Sequence, residues 1–222
     1  MELSPLILSI RAAIFATIIT FILGVYCAYF SLKLNKFKGI VDGFFTLPLV
    51  LPPTVVGFLL LVSLGKNSFI GKFLLNYNIS IVFSGVATII ASVVVSFPLM
   101  YRTARGAFEQ LDKNMIYVAR TLGLSEHQIF WKIMMPNSFN SIVAGTILAF
   151  ARALGEFGAT IMIAGNIPGK TQTMAVAVYS AVQAGDRALA YKWVLVITFL
   201  SFITMILLNN FEGREKCHKG GN

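Results

Sequence analysis

Long apolar runs separated by short polar segments make up most of the chain. A membrane span needs about 20 mostly apolar residues to cross roughly 30 Å of hydrocarbon. Five runs reach that length: 6–32, interrupted by Arg11; 44–64 and 79–101, both free of charge; 142–164, which carries Arg152 and Glu156; and 188–208, with Lys192 near its start. Inside lipid the backbone must satisfy its own hydrogen bonds, so each run predicts a helix, and the alternating short strands of a β-barrel are not seen. The expectation is an all-α integral membrane protein, one domain over 1–222 with five transmembrane helices. The stretch 174–182 is too short to span and is expected as a re-entrant or surface-lying helix rather than a sixth, distorted span.

Composition agrees. Hydrophobic residues make up 57% of the 222 and charged residues 12%, against about 25% charged in soluble domains. The net charge of +9 does not point to nucleic acid, because the basic residues sit in short segments between apolar runs and form no basic face with interleaved aromatics. They orient the spans instead. The segments after the first, third and fifth runs hold Lys33, Lys36, Lys38, Arg102, Arg105, Lys113, Arg120, Lys132, Arg214, Lys216 and Lys219. Those after the second and fourth hold Lys66, Lys72, Lys170 and Arg187. The first set is expected in the cytoplasm, with the N-terminus outside and the tail 209–222 inside. Cys27 in an apolar run and Cys217 in the tail form no disulfide framework, and His218 beside Cys217 is too small a set to hold a metal. Glu2, in place of a basic cluster, argues against a signal peptide.

The cytoplasmic segment 102–141 is patterned. Met115, Val118, Ala119 and Leu122 fall on one helical face. Asp112 can cap that helix, and Gly123 can stop it in a left-handed turn. Ser125 and Gln128 form an S-x-x-Q capping box for a second helix. Its apolar face runs through Ile129, Phe130, Ile133 and Met134, and Pro136 marks its end or a kink. Each helix is too short to stand alone in water. Two readings fit: the pair packs on the membrane surface or its own spans, or it fills a groove on a cytoplasmic partner.

Here the sequence resembles a known family. Tyr117-Val118-Ala119, Gly123, Ile133, Met135 and Pro136 stand at the spacing of the EAA-x3-G-x9-I-x-L-P loop of binding-protein-dependent ABC importer permeases, with Tyr117 for the Glu, Val118 for the first Ala and Met135 for the Leu. Leu47-Pro48-Leu49-Val50-Leu51-Pro52-Pro53-Thr54-Val55-Val56-Gly57 and Phe150-Ala151-Arg152-Ala153-Leu154-Gly155-Glu156-Phe157-Gly158-Ala159 resemble spans of the molybdate, tungstate and sulfate permeases. Gly165-Asn166-Ile167-Pro168-Gly169-Lys170-Thr171 and Val182-Gln183-Ala184-Gly185-Asp186 are similar to the molybdate branch. The resemblance implies the type-1 ABC importer transmembrane fold, with 112–136 as a helix-Gly-helix coupling loop in which Tyr117, Ala119, Gly123, Leu124, Ile133 and Pro136 couple to an ATPase. It implies a homodimer in membrane lipid, two cytoplasmic ATPase subunits and an extracytoplasmic molybdate-binding protein. No cofactor is expected on this chain, since ATP and Mg belong to the ATPase, and the chain is expected to be a transport subunit, not an enzyme. Tungstate or sulfate/thiosulfate import is the alternative within the family.

Within the spans, Arg152 lies roughly 15 Å past the start of its run at 1.5 Å per residue, a depth where charges face a protein interior or an aqueous cavity. Arg152 and Glu156 share one helix face. Either they neutralise each other structurally, or they sit at the translocation path or subunit seam. The Arg-before-Glu order is the weaker one for a helical pair and points to partners elsewhere in the assembly. Pro48, Pro52 and Pro53 break the second span's hydrogen-bond ladder, which makes Pro52, Pro53 and Thr54 a candidate gate or a packing kink. Pro168-Gly169-Lys170-Thr171 is no nucleotide loop, because position 164 is Ala where the motif needs Gly. A lone intramembrane acid, Glu156, does not make a membrane-embedded enzyme, and no clear repeat marks an ion-coupled transporter.

Overall fold

The computed structural model describes the backbone of residues 3–34 and 36–219, with side chains up to residue 209. The side chains of the tail, Cys217 and His218 among them, lie outside the described residues.

The described residues form helices and connecting turns. Helix α1 (Ser4–Ser31) is followed by α2 (Lys38–Val50), α3 (Pro53–Leu64), the short α4 (Phe69–Leu75) and α5 (Gly85–Glu109). The loop after α5 holds α6 (Lys113–Thr121), α7 (Glu126–Ile129), a π-helical turn (Phe130–Met134) and α8 (Met135–Asn137). Then come α9 (Phe139–Leu154), α10 (Gly158–Ala164), α11 (Met174–Gln183) and α12 (Arg187–Lys219).

Helices α1 and α5 form the centre. They run parallel and meet through small residues: Thr20, Gly24 and Ala28 on α1, and Ser96 and Ala104 on α5, are all buried. Lipid offers no hydrophobic driving force between helices, so close backbone approach and interhelical hydrogen bonds hold them. A Cβ on Gly24 would stand 2.8 Å from the Met100 side chain. The Thr20 and Ser96 hydroxyls bond each other at 3.2 Å, and Ser96 also donates to the Ser92 carbonyl at 2.6 Å.

The structure redraws three of the five expected spans. The run 44–64 is two helices, α2 and α3, bent by 111°. The residue before a proline is pushed out of the helical region, and both Leu51 and Pro52 precede one; their ψ angles are 140° and 134°. The run 142–164 is likewise two helices, α9 and α10, parted at Gly155–Phe157. The third span starts at Gly85 rather than 79, where Ser84 caps it by accepting from the Ala87 amide, and runs on through Arg102 and Arg105 to Glu109. Among the described residues three helices are long and apolar enough to span alone, and up to five spans result when bent pairs are joined. The stretch 174–182 forms α11, which packs Met174, Val176, Ala177 and Ala181 inward. Its first amide donates to Ser9 Oγ of α1 at 2.8 Å.

The two half-helices α3 and α10 lie side by side, and glycines set the spacing. A Cβ on Gly57 would be 2.7 Å from the Ala159 backbone, and one on Gly158 would be 2.9 Å from Pro53 Cβ. Backbone cannot yield as a side-chain end can. Gly57→Ala is therefore expected to cost about 1–3 kcal/mol and to lower the thermal unfolding midpoint in detergent. Gly43→Ala, where an added Cβ meets nothing within 4 Å, should leave the midpoint level or raise it.

Candidate functional site

Pro53 and Thr54 meet Gly158, two residues past Glu156, where the two broken spans come together. Helix α2 stops at Val50, with Leu51 N–H still bonded to the Leu47 carbonyl. Pro52 is extended, and its carbonyl accepts the Val55 and Val56 amides that open α3. Pro53 occupies the first turn of α3, where its missing N–H costs nothing. It packs against Gly158, the first residue of α10; Pro52 and Thr54 are exposed.

Arg152 and Glu156 are partners of each other. Arg152 Nη1 lies 2.7 Å from Glu156 Oε2. The weak-order argument fails because the helix breaks between them: Arg152 is in the last turn of α9, and Glu156 stands two residues before α10. Each charge therefore sits at the helix end whose dipole favours it. The other carboxylate oxygen accepts the Ala159 amide at 2.8 Å, so Glu156, only 2% exposed, also caps α10. The Arg152 cation is thereby paired with a carboxylate that also caps the next helix.

The loop folds as its local chemistry predicts. Asp112 accepts the Asn114 amide at 2.8 Å. Gly123 has φ +80°, and Leu124 N–H returns to the Ala119 carbonyl at 3.1 Å, closing α6 in a left-handed cap. The Ser125–Gln128 capping box is present. Pro136 has no N–H to give, and the preceding turn widens, with Met135 N–H reaching the Phe130 carbonyl. The Asn137 side chain takes the Ile133 carbonyl at 2.7 Å.

The first loop helix is turned differently from the expected face. Ala119 is buried and Ile116 packs beside it on the central cluster, while Val118 and Leu122 point outward. The ends of α1 and α5 are already filled by Phe130, Phe108 and Met134, and a small Ala fits against them where a Leu does not. Phe130 is the wedge: its ring lies 4.7 Å from Tyr29 and 6.0 Å from Phe108, centroid to centroid. Ile133 and Leu124 are partly buried beside it, and Pro136 is exposed. Tyr117, Val118 and Leu122, the last 76% exposed, point outward beside the exposed Arg120 and Thr121.

Sequence reasoning passed over Glu126 altogether. Its carboxylate takes Arg120 Nε at 2.7 Å across the Gly123 turn and lies 3.9 Å from Lys33 at the end of α1. The hydrogen bond from Arg120 outweighs partial burial and, with Lys33 nearby, holds the carboxyl below its usual range. Its place as the first residue after a capping Ser was the available signal, but the partner across the turn was not visible.

The family described as "Binding-protein-dependent transport system inner membrane component" matches residues 20–216. The chain is 42% identical to the "Putative molybdenum transport system permease protein YvgM" of Bacillus subtilis over 207 residues, 92% of this chain and 91% of that one. It is 40% identical to the "Molybdenum transport system permease protein ModB" of Haemophilus influenzae over 210 residues, 93% and 92% of the two chains. In fold it is similar to a chain of the inward-facing MetNI methionine ABC transporter, with a TM-score of 0.67 at 14% identity, covering 93% of this chain and 90% of that one.

The double duty of Glu156 separates two substitutions. Glu156→Gln keeps an acceptor for the Ala159 amide and loses only the charge. Glu156→Ala loses both and strands Arg152, at a cost of about 3 kcal/mol. Thermal unfolding in detergent should rank native above Gln and Gln above Ala; equal losses would remove the cap from the argument.

Proposed function

The chain belongs to the family of binding-protein-dependent transport system inner membrane components, and from that membership we propose that it is the permease subunit of an ATP-driven molybdate importer. The observation that carries the substrate is the likeness to YvgM and ModB over nine-tenths of the chain. The multi-pass helical architecture is the frame for it.

In this reading the permease works as a homodimer in the membrane. The apolar faces of α2, α3 and α12 are left for lipid or the second copy: Phe44, Val50, Phe58, Leu195 and Phe199 are all exposed. An extracytoplasmic binding protein selects molybdate and delivers it to the outer face. Two cytoplasmic ATPase subunits bind ATP and Mg and carry out hydrolysis; this chain supplies no cofactor site. The basic residues of the loop side keep that side and the C-terminus in the cytoplasm and the N-terminus outside.

The outward residues Tyr117, Val118 and Leu122 are the apolar surface an ATPase groove would accept as a short helix. Ala119, Leu124 and Ile133 face the other way and seat the loop on α1 and α5. Gly123 sets the angle between the two loop helices, and Pro136 the widened turn that follows. ATP-driven movement of the ATPases would move this seat and open the path alternately to the two sides. The neutral Arg152–Glu156 pair, Pro52, Pro53 and Thr54 mark the break region along that path. A weakly held oxyanion can leave such a region, and selectivity then falls to the binding protein.

The test is uptake of radiolabelled molybdate into proteoliposomes holding this chain with its ATPase and binding protein. ATP-dependent uptake that tungstate blocks and sulfate does not is expected. Uptake blocked mainly by sulfate would keep the importer and overturn the substrate. In the same vesicles Gly123→Pro, which forces φ from +80° to about −65°, should abolish uptake while the chain remains inserted. Normal uptake by that variant would remove the coupling role of the loop.

A further inference from the structure

Helix α2 is fastened to the rest of the molecule in an unusual way. It buries no residue completely. Its apolar hold is the ring of Phe45, which meets Phe97 and Tyr101 edge-on at 5.4 and 5.1 Å. The remaining hold is polar and lies at the cytoplasmic end. Asp42 accepts from the Tyr101 hydroxyl and pairs with the Arg105 guanidinium. Arg105 Nε donates to Glu109 at 3.0 Å, and Lys38 Nζ reaches the same carboxylate oxygen at 2.9 Å. Lys38 and Asp42 belong to α2, and Arg105 and Glu109 to α5, so the charges balance across the seam. They border a 420 Å³ cavity shared with Thr46 and Arg102.

Position gives this network its meaning. Glu109 ends α5, and Asp112 three residues later caps α6, the first helix of the loop. Whatever displaces the loop therefore displaces the last turn of α5. On the other side α2 is a rod of 13 residues whose far end is the Leu51–Pro52 break. Ring contacts favour an edge-on or offset geometry, but they tolerate sliding more than a paired guanidinium fork does. A guanidinium fork shared between two carboxylates is directional, and it is the strong class of hydrogen bond. The Asp42 and Arg105 side chains are 22% and 19% exposed, sheltered enough that water does not screen them as it does a surface pair.

We propose that Asp42 and Arg105, with Glu109 and Lys38, are positioning residues for transport: they tie α2 to α5 so that movement of the cytoplasmic loop turns α2 about the Leu51–Pro52 break. This rests on the loop being the ATPase dock. Arg105 is specific to the task, because its fork serves Asp42 and Glu109 together. A lysine keeps the charge but not the planar two-sided reach.

The experiment compares native chain, Asp42→Asn, Arg105→Lys and the double variant, each assembled with ATPase and binding protein in proteoliposomes. ATPase capture, ATP hydrolysis and molybdate uptake are measured on each. The single variants should capture ATPase as the native chain does and hydrolyse within about twofold of it, while uptake per ATP falls about tenfold. The double variant should lose no more than the worse single one, as expected for two residues of one link. A native uptake ratio in the single variants, or losses that multiply in the double, would overturn the proposal. So would loss of ATPase capture, because the network would then be holding the dock rather than transmitting from it. If Asp42→Asn does not insert, Arg105→Lys alone decides by the same ratio. Absence of ATPase capture by the native chain would defeat the docking reading itself, and that result is visible before any variant is compared.

Discussion

A chain in lipid must satisfy every backbone amide and carbonyl from within the protein, and this requirement shapes each departure from a plain bundle. Where a helix runs unbroken and without an interior proline, as in α1, the helix does it alone. Where helices break, other groups step in. At Leu51–Pro52 the prolines remove two donors, and the Pro52 carbonyl takes the Val55 and Val56 amides. At Gly155–Phe157 the Glu156 carboxylate takes an amide of α10. The ion pair with Arg152 then follows from electrostatics, since a capping carboxylate that is 2% exposed needs a countercharge.

The same logic places the two breaks together. A break beside lipid exposes backbone; a break beside another break lets protein cover both. Pro53 against Gly158 and Gly57 against Ala159 are the contacts that bring α3 and α10 close enough to do so. The loop between α5 and α9 is held by a different principle. Phe130 is wedged among Tyr26, Tyr29 and Phe108, and Glu126 pins the Gly123 turn to the end of α1 through Lys33. The loop is therefore seated on the ends of α1 and α5, with Tyr117, Val118 and Leu122 pointing away from them.

Legibility from sequence follows the range of the interaction. The Asp112 cap, the Gly123 stop and the Ser125–Gln128 box depend on atoms within a few residues, and each stands where its residues indicate. The first and last spans were legible because apolar length alone defines them. The prolines announced a break in the second span but not its angle, which depends on what α2 and α3 each pack against. Val118 and Leu122 could not be separated from Ala119 by periodicity, because the choice is made by the volume left beside Phe130. The Arg152–Glu156 pair was legible as a pair, but its second role as a cap was not, since nothing in a 3.6-residue period says where a helix will stop. The Asp42–Arg105 tie joins residues far apart in sequence, and only the packing of α2 on α5 brings them together.

The parallel pairing of α1 and α5 has a consequence in time. Two adjacent spans can pair as a hairpin as soon as both are made, but Thr20 of α1 finds Ser96 of α5 76 residues later. At a synthesis rate of about 5–20 residues per second, α1 waits roughly 4–15 s in the bilayer before its partner is complete. During that interval its small-residue stripe faces lipid, and the Thr20 hydroxyl has only its own helix's carbonyls to bond. The nascent chain thus passes through a stage in which its future central seam is its outer surface, and the membrane insertion machinery is the environment that must tolerate it.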